Sequence, residues 1–365
     1  METLCLHSEH AARGARFDQV NGAEVVADYG DAQAEYGALR QTGVVLDLSF
    51  RSRLCVTGAD RVRFLHGQVT NDVQRLKMGE GCYAALITAK GRIQSDLNIY
   101  RLEEELLLDF EPGLTPAVCR RLEQYIIAED VQVVDVAPHY GLLSVQGPKA
   151  REIVSALAPR SDIPQQPWQL IKVHDAGLGE VYIIHQPRLR LEGYDCFVPV
   201  ASLAAAFEKM VGAAAGVDGR VCGWNAFELA RIEAGVPRFV VDMDETNIPL
   251  EAGLEGVAIS FQKGCYIGQE VISRIKTYGQ VAKALRGLQL AEGLKNLPAK
   301  GDKLFRAGKE AGYVTSAAAS PEFGSIALGY VRREMNEVGT ELQLRQAEGE
   351  RAARIVEVPF SGRME

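Results

Sequence analysis

Two side chains in this 365-residue sequence sit in settings that could support chemistry, Cys265 and Asp96. Cys265 lies in FQKGCYIGQE, residues 261–270, between Lys263-Gly264 and Tyr266. A nearby cation and a helix N-terminus both favour thiolate over thiol. Lys263 supplies the first, and Ile267–Ile275 reads as a helix that would begin just after the cysteine. Gly264 and Gly268 permit tight turns or the close approach of another group to the backbone. The pattern suits a nucleophilic or metal-contacting thiol, but a buried structural cysteine in a glycine-rich turn would read the same way. Asp96 lies in GRIQSDLNIY. On a strand, Gln94, Asp96 and Asn98 share one face while Ile93, Leu97 and Ile99 mostly oppose it. A carboxylate presented by a rigid strand into a cavity can accept or steer a proton; a solvated polar face has the same alternation.

Other chemistries lack local support. There is no Walker A loop, no His-Glu-x-x-His and no Gly-x-Gly-x-x-Gly following a strand. None of the six histidines lies three or four residues from another on an expected helix, so no metal site is expected. The seven cysteines, at 5, 55, 82, 119, 196, 222 and 265, are odd in number and contain no Cys-x-x-Cys pair. That argues against a disulfide framework, a zinc ribbon or a cluster held wholly by this chain, though one cysteine could contribute to a shared or transient cluster. The net charge of -8, with no block of lysines and arginines, argues against nucleic acid as a direct ligand. A small anion held by a few local cations is compatible with it. No apolar run reaches the roughly 18 residues of a membrane span. The opening METLCLHSEHAARGARF has no apolar secretory core. A cytoplasmic monomer is the expectation.

Hydrophobic residues at 47% and charged residues at 24% are usual for a folded soluble chain, and the length suits two or three domains of about 100–200 residues each. DAQAEYGALRQTG reads as a helix capped by Gly43, followed by the apolar run VVLDLSF. RLCVTGADRVRFLHGQV (53–69) reads as strand, glycine turn and helix. LLSVQGPKAREIVSALA (142–158) repeats that order, with Leu54, Val56 and Gly58 matching Leu143, Val145 and Gly147 at an offset of 89. Duplication and coincidence both account for this. CYAALITAKGRIQSDLNIYRL (82–102) is a hairpin signal around AKG. ELLLDF continues the sheet, and AVCRRLEQYIIAED, LAAAFEKMVGAA and VCGWNAFELARIEAG read as helices, the last stopped by Gly235 and Pro237. Beyond about 280, short strands and turns indicate a small β-barrel or sandwich.

KGCYIGQE, residues 263–270, resembles the signature of the YgfZ-type folate-binding proteins, a group that includes a related mitochondrial iron–sulfur assembly factor. VVLDLSFRSRLCVTGADRVRFLHGQVTNDV, GRIQSDLNIY, LARIEAGVPRF and IPLEAGLEGVAISFQKGCYIGQE resemble further blocks of that group. AGYVTSAAASPEFGSIALGYV resembles the C-terminal barrel shared with the glycine cleavage T protein. The resemblance covers most of the chain; the octapeptide is specific, and the other blocks mark the wider T-protein superfamily. It implies an α+β, three-domain, ring-like fold with tetrahydrofolate or a derivative in a central channel. The corresponding division is 1–50 with 138–278, 51–137, and a barrel at 279–365.

The resemblance also implies site residues. Asp96 matches the T-protein aspartate that lies near the reactive folate nitrogen and supports aminomethyl transfer. The GEDGFE block is here GYDCFV, with Tyr194 at the position of the pterin-holding glutamate. Phe227 stands where a folate-contacting arginine is expected, and Phe50-Arg51 replaces HM. Arg231 and Lys276 are candidates for folate's anionic tail. Cys265 would be the redox or cluster-contacting thiol, Lys263 would tune it, and the glycines would let a partner approach. The implied function is a tetrahydrofolate-binding accessory protein for assembly or repair of [4Fe–4S] clusters, with iron–sulfur client or assembly proteins as partners. The alternative is a tetrahydrofolate-dependent aminomethyltransferase or demethylase. A folate-binding or structural module with an inert cysteine is the third reading.

Overall fold

Helix α1 (His7–Ala11), the hairpin β1 (Arg16–Val20) and β2 (Ala23–Asp28), and helix α2 (Ala32–Gln41) lead into the first sheet. Asp31 opens α2 by accepting a hydrogen bond from the Ala34 amide at 2.9 Å, which satisfies one of the donors a helix start leaves open. Its cap at the other end is Thr42, one residue earlier than the glycine expected for that role. Gly43 answers a packing demand instead: a Cβ there would lie 2.7 Å from the Ile153 side chain. The computed structural model describes residues 3–346 and 349–360, and the chain separates into two compact units. One holds residues up to Ala84 with Asp96–Glu228; the other holds Ala85–Ser95 with the described residues from Leu229 onward.

One strand-and-helix order occurs twice, all of it in the first unit except Ala85–Ser95, which includes the adjoining ends of two strands. After β3 (Val44–Asp47) come β4 (Ser52–Thr57), α3 (Arg61–Gln68), β5 (Gly81–Ile87), β6 (Ile93–Arg101), β7 (Leu106–Phe110), α4 (Thr115–Glu123) and β8 (Gln132–Asp135). Then follow β9 (Tyr140–Gln146), α5 (Ala150–Val154), β10 (Leu170–Asp175), β11 (Gly179–His185), β12 (Gly193–Pro199), α6 (Leu203–Ala215) and β13 (Arg220–Val221). The sheets have orders β5-β6-β7-β4-β8 and β10-β11-β12-β9-β3-β13. They correspond strand for strand, except that β3 is inserted beside β9. Topology therefore favours duplication over coincidence. The matching glycines are forced by their surroundings. Gly58 (φ +97°) leaves only 2.1 Å between a Cβ and the Asp130 carbonyl oxygen, and Gly147 (φ +121°) only 2.8 Å to that of Leu39.

One face of the six-stranded sheet is covered by α5 and α6. Ile153, Val154, Phe207 and Met210 pack there on Val145, Tyr194, Cys196 and Val198. Alternation sends Ser144, Gln146 and Asp195 to the opposite face. The expected helix at 117–130 stops at Glu123, and Tyr125 and Ile127 beyond it are exposed, so no core is present to continue the helix.

The second unit contains the C-terminal part of α7 (Trp224–Glu233), α8 (Glu255–Ala258) and α9 (Gln269–Tyr278). It ends in a closed barrel of β14 (Lys283–Leu290), β15 (Lys303–Arg306), β16 (Lys309–Ser320), β17 (Gly324–Arg332), β18 (Glu341–Gln346) and β19 (Gly349–Val356). The barrel order is β14-β17-β16-β15-β18-β19, around a core that includes Leu288, Val314, Ala327 and Leu344. Arg231 of α7 is 1% exposed and bonds Asp242 through Nη1 at 2.6 Å. Thr315 and Ser316 of β16 donate to the other Asp242 oxygen at 2.5 and 2.6 Å. The charge of Arg231 is thus spent on Asp242 rather than held open for a folate carboxylate. Removing the carboxylate in Asp242→Ala strands a buried guanidinium, and urea denaturation should show a loss of about 3–5 kcal/mol. A loss below about 1 kcal/mol would show that the pair does not secure this unit.

Candidate functional site

Asp96 and Tyr83 form the centre of the site in the first unit. The Tyr83 hydroxyl donates to Asp96 Oδ2 at 2.7 Å. Asp96 is a partly buried residue whose Oδ1 is nonetheless out of contact with solvent. Burial, and then the nearby Glu111 carboxylate, push Asp96 up to about 6, against the opposing pull of the Tyr83 bond and of Arg51. Burial and the Asp96 charge push the Tyr83 hydroxyl well above its ordinary value, so it remains a donor. A carboxylate tuned toward neutrality can exchange protons under physiological conditions.

Behind it lies a buried polar layer. Arg51 Nε bonds Asp109 at 2.7 Å and its Nη1 bonds Glu111 at 2.8 Å. Arg188 Nη2 bonds Asp109 at 2.7 Å and Asp195 at 2.6 Å. Asn98 donates to Asp109 at 3.0 Å, Gln186 to Asn98 at 3.1 Å, and Ser144 to Asp195 at 2.8 Å. Burial alone would raise Asp109, but the Arg188 and Arg51 guanidiniums outweigh it and hold the carboxyl well below the usual range. Asp195 stays above its ordinary value because its burial outweighs Arg188. Three buried polar atoms of this layer, Gln146 Oε1, Gln186 Oε1 and the Tyr100 hydroxyl oxygen, receive no hydrogen bond from the protein. Orphaned acceptors of that kind fit the amino and ring N–H donors of a flat heteroaromatic ligand.

The candidate residues separate in the structure. Arg51 belongs to the Asp96 layer. Tyr194 does not: it is buried on the helix-covered face of its sheet, its hydroxyl donating to Glu192 at 2.6 Å, while its neighbour Asp195 faces the polar layer. Phe227 stacks on Trp224 with ring centres 5.0 Å apart, and Phe50 meets Trp224 edge-on at 5.3 Å. These three rings form an aromatic cluster joined in sequence to the polar layer only by Phe50, the residue before Arg51. Lys276 pairs with Glu255 and lies 5.3 Å from the centre of the Phe261 ring. The sequence reading missed Tyr83, Asp109, Glu111, Arg188, Asp195 and the two glutamines. The i, i+2 spacing of Asp109 and Glu111 in LLLDFE was the available signal for two of them.

In the second unit, Cys265 is exposed, whereas Lys263 and Tyr266 beside it are buried. The Lys263 ammonium lies 4.8 Å from the centre of the Tyr266 ring. Helix α9 starts at Gln269, two residues later than expected, with Gly268 (φ +84°) as its cap. A Cβ on Gly268 would lie 2.4 Å from the Thr88 carbonyl oxygen. The expectation that this glycine admits a partner therefore needs correction: the chain's own β5–β6 hairpin occupies the space. Among the described residues, no group of three or more His, Cys, Asp or Glu side chains could hold a metal ion.

A mixed α/β protein with a proton-tuned carboxylate over a buried polar layer and a closed C-terminal barrel is the class these features define. The GCVT N-terminal domain family matches residues 6–263, and the glycine cleavage T-protein C-terminal barrel domain matches 283–361. The chain belongs to the glycine cleavage T-protein family. It is 29% identical over 363 residues to an aminomethyltransferase of Symbiobacterium thermophilum, covering 97% of this chain and 96% of that protein. With the aminomethyltransferase of Bacillus subtilis it shares 27% identity over 358 residues, covering 97% of each. The crystal structure of the glycine cleavage system aminomethyltransferase T of Bartonella henselae superposes with a TM-score of 0.89 at 24% identity, over 99% of this chain and 98% of that one, which shows the shared fold.

Two outcomes follow from this geometry. A carboxyl-resolved NMR titration should place Asp96 near pH 6, above the ordinary aspartate range of about 3.9. Because the folded-state value is raised, the folded protein holds this proton as pH climbs through that window. The resulting stability is present at acid pH and lost toward pH 6. A midpoint below about 4.5 would remove the proposed tuning. Separately, Gly268→Ala combines a left-handed φ with a backbone clash, and should cost about 1–3 kcal/mol in denaturation. An unchanged midpoint would mean that the hairpin yields freely.

Proposed function

We propose that this chain binds tetrahydrofolate and serves as an accessory protein for the assembly or repair of iron–sulfur clusters in client enzymes. The observation that carries the reading is the exposed Cys265 thiol on a loop in which Lys263 and Tyr266 are buried and Gly268 is sterically committed. A thiol held out this way can meet a cluster or a disulfide on another protein, where a buried one could not. The motif KGCYIGQE adds the resemblance to YgfZ-type proteins. The folate site is the Asp96 layer. Gln146 and Gln186 offer acceptors to the pterin's amino and ring N–H groups, and the Phe50–Trp224–Phe227 cluster offers apolar stacking surface. Folate, when bound, supplies a one-carbon carrier or a reducing pterin; Asp96 holds or releases a proton beside it, with Tyr83 orienting its Oδ2.

A second reading, a tetrahydrofolate-dependent aminomethyltransferase, is favoured by the Asp96 geometry and by the names of the relatives. Transfer of an aminomethyl group requires a proton to move at the acceptor nitrogen, and a carboxylate near pH 6 suits that work. The two readings place their demands on different residues. A bacterial strain lacking its YgfZ-type protein is complemented with wild type, Cys265→Ala or Asp96→Asn, and the activity of a [4Fe–4S] enzyme is measured. Purified proteins are assayed in parallel for tetrahydrofolate binding and for aminomethyl transfer. The accessory role predicts rescue by wild type, loss of rescue in Cys265→Ala and retained folate binding in that variant. Transfer that collapses in Asp96→Asn but survives in Cys265→Ala, without rescue by wild type, would overturn it in favour of the transferase.

A further inference from the structure

The second unit contains a cleft of about 580 Å³ that plays no part in the proposed folate site. Its lining includes Arg92 from the β5–β6 hairpin, Lys283 at the start of β14, and Arg332 and Arg333 where β17 ends. Two carboxylates, Glu251 and Glu334, also line it, which leaves a surplus of two positive charges in a chain whose net charge is -8. No ion pair among the described residues neutralises any of the four cations.

Their placement carries an electrostatic cost. Lys283 and Arg332 are directly opposed partners in the antiparallel β14–β17 ladder, an arrangement in which like charges destabilise the pairing. Aromatic contacts offset part of it: the Lys283 ammonium bonds the Tyr313 hydroxyl at 2.9 Å and lies 4.6 Å from the centre of the Tyr330 ring. Those same contacts hold the ammonium in one place. Arg333 donates its amide to the Ala282 carbonyl at 2.9 Å, and Arg92 is anchored through Nη1 to the Thr246 carbonyl. Glu251 is buried, with Oε2 accepting from the Ile248 amide at 3.3 Å. Four cations around a cleft of ligand size, two of them (the Lys283 ammonium and the Arg92 guanidinium) held in place by hydrogen bonds, form an arrangement that recognises an oxyanion, since guanidinium forks pair with phosphate or carboxylate oxygens.

We propose that this cleft binds a small ligand of two or more negative charges, presented as a phosphate group or as adjacent carboxylates. The ligand offsets the Lys283–Arg332 repulsion, and the two lining carboxylates limit the charge the cleft accepts. Binding is independent of the Asp96 layer, so its failure would leave the folate reading untouched.

Isothermal titration of the full chain with inorganic pyrophosphate and, separately, with citrate tests this. At least one probe should bind saturably at one site per chain and weaken as ionic strength rises. In Arg332→Gln and in Lys283→Met the affinity should fall about tenfold or more, while Arg345→Gln, on the far strand β18, leaves it unchanged. Thermal denaturation of each variant without ligand separates lost binding from lost folding; Arg332→Gln, exposed and with its partner repulsion removed, should melt no lower than wild type. Tighter binding of pyrophosphate assigns a phosphate-bearing ligand, and tighter binding of citrate a polycarboxylate. No saturable binding of either probe, or binding equal in wild type and both cleft variants, would overturn the proposal.

Discussion

Asp109 is the residue on which the first unit's polar chemistry depends. Its carboxylate accepts from Arg51, Arg188 and Asn98, so residues from three other stretches of the chain converge on its two oxygen atoms. Buried ions are costly to desolvate, and they persist only when each is paired and hydrogen-bonded. The effect reaches Asp96. Arg51 is a cation that favours an ionised Asp96, but its guanidinium bonds are made to Asp109 and Glu111. The Glu111 carboxylate that Arg51 holds lies near Asp96, and its repulsion joins burial in raising Asp96. The arginine that pulls Asp96 down also holds in place the acid that, with burial, raises it.

Local features were readable where local physics decides them. The helix in DAQAEYGALRQTG is present, though it ends on Thr42 and not on the expected Gly43, and the 89-residue repeat shows through its strands and positive-φ glycines. The alternation around Asp96 also follows the strand geometry. What stayed hidden is tertiary. Arg188 meets Asp109 across 79 positions of sequence, and no local pattern encodes that meeting. Tyr194 shows the limit most clearly: on a strand, one step in register decides between the apolar core and the polar layer, and the sequence does not say which face is which. Similarity placed Tyr194 at the ligand, whereas the sheet turns its neighbour Asp195 toward the polar residues.

The octapeptide reads differently once its neighbours are known. Gly268 is left-handed and the Thr88 carbonyl leaves no room there for a side chain, while Tyr266 is buried with its ring facing the Lys263 ammonium. Most of the conspicuous residues in KGCYIGQE thus shape a turn between the hairpin and α9. A glycine-rich motif can look like an opening for a ligand while its backbone freedom is already used by the fold. Cys265 is the exception, since nothing in the turn requires a thiol at an exposed position.

The two chemistries open to this chain place opposite demands on their surroundings. Proton transfer at a bound cofactor works through a carboxylate whose affinity is raised by exclusion of water, as at Asp96. Exchange with a cluster or a disulfide on another protein needs a thiol that the other protein can reach, as at Cys265. No single environment meets both demands. Asp96 and Cys265 meet these two conditions separately, the one withdrawn from water and the other exposed, while the β5–β6 hairpin that carries Tyr83 and Asp96 also abuts Gly268 of the cysteine's turn.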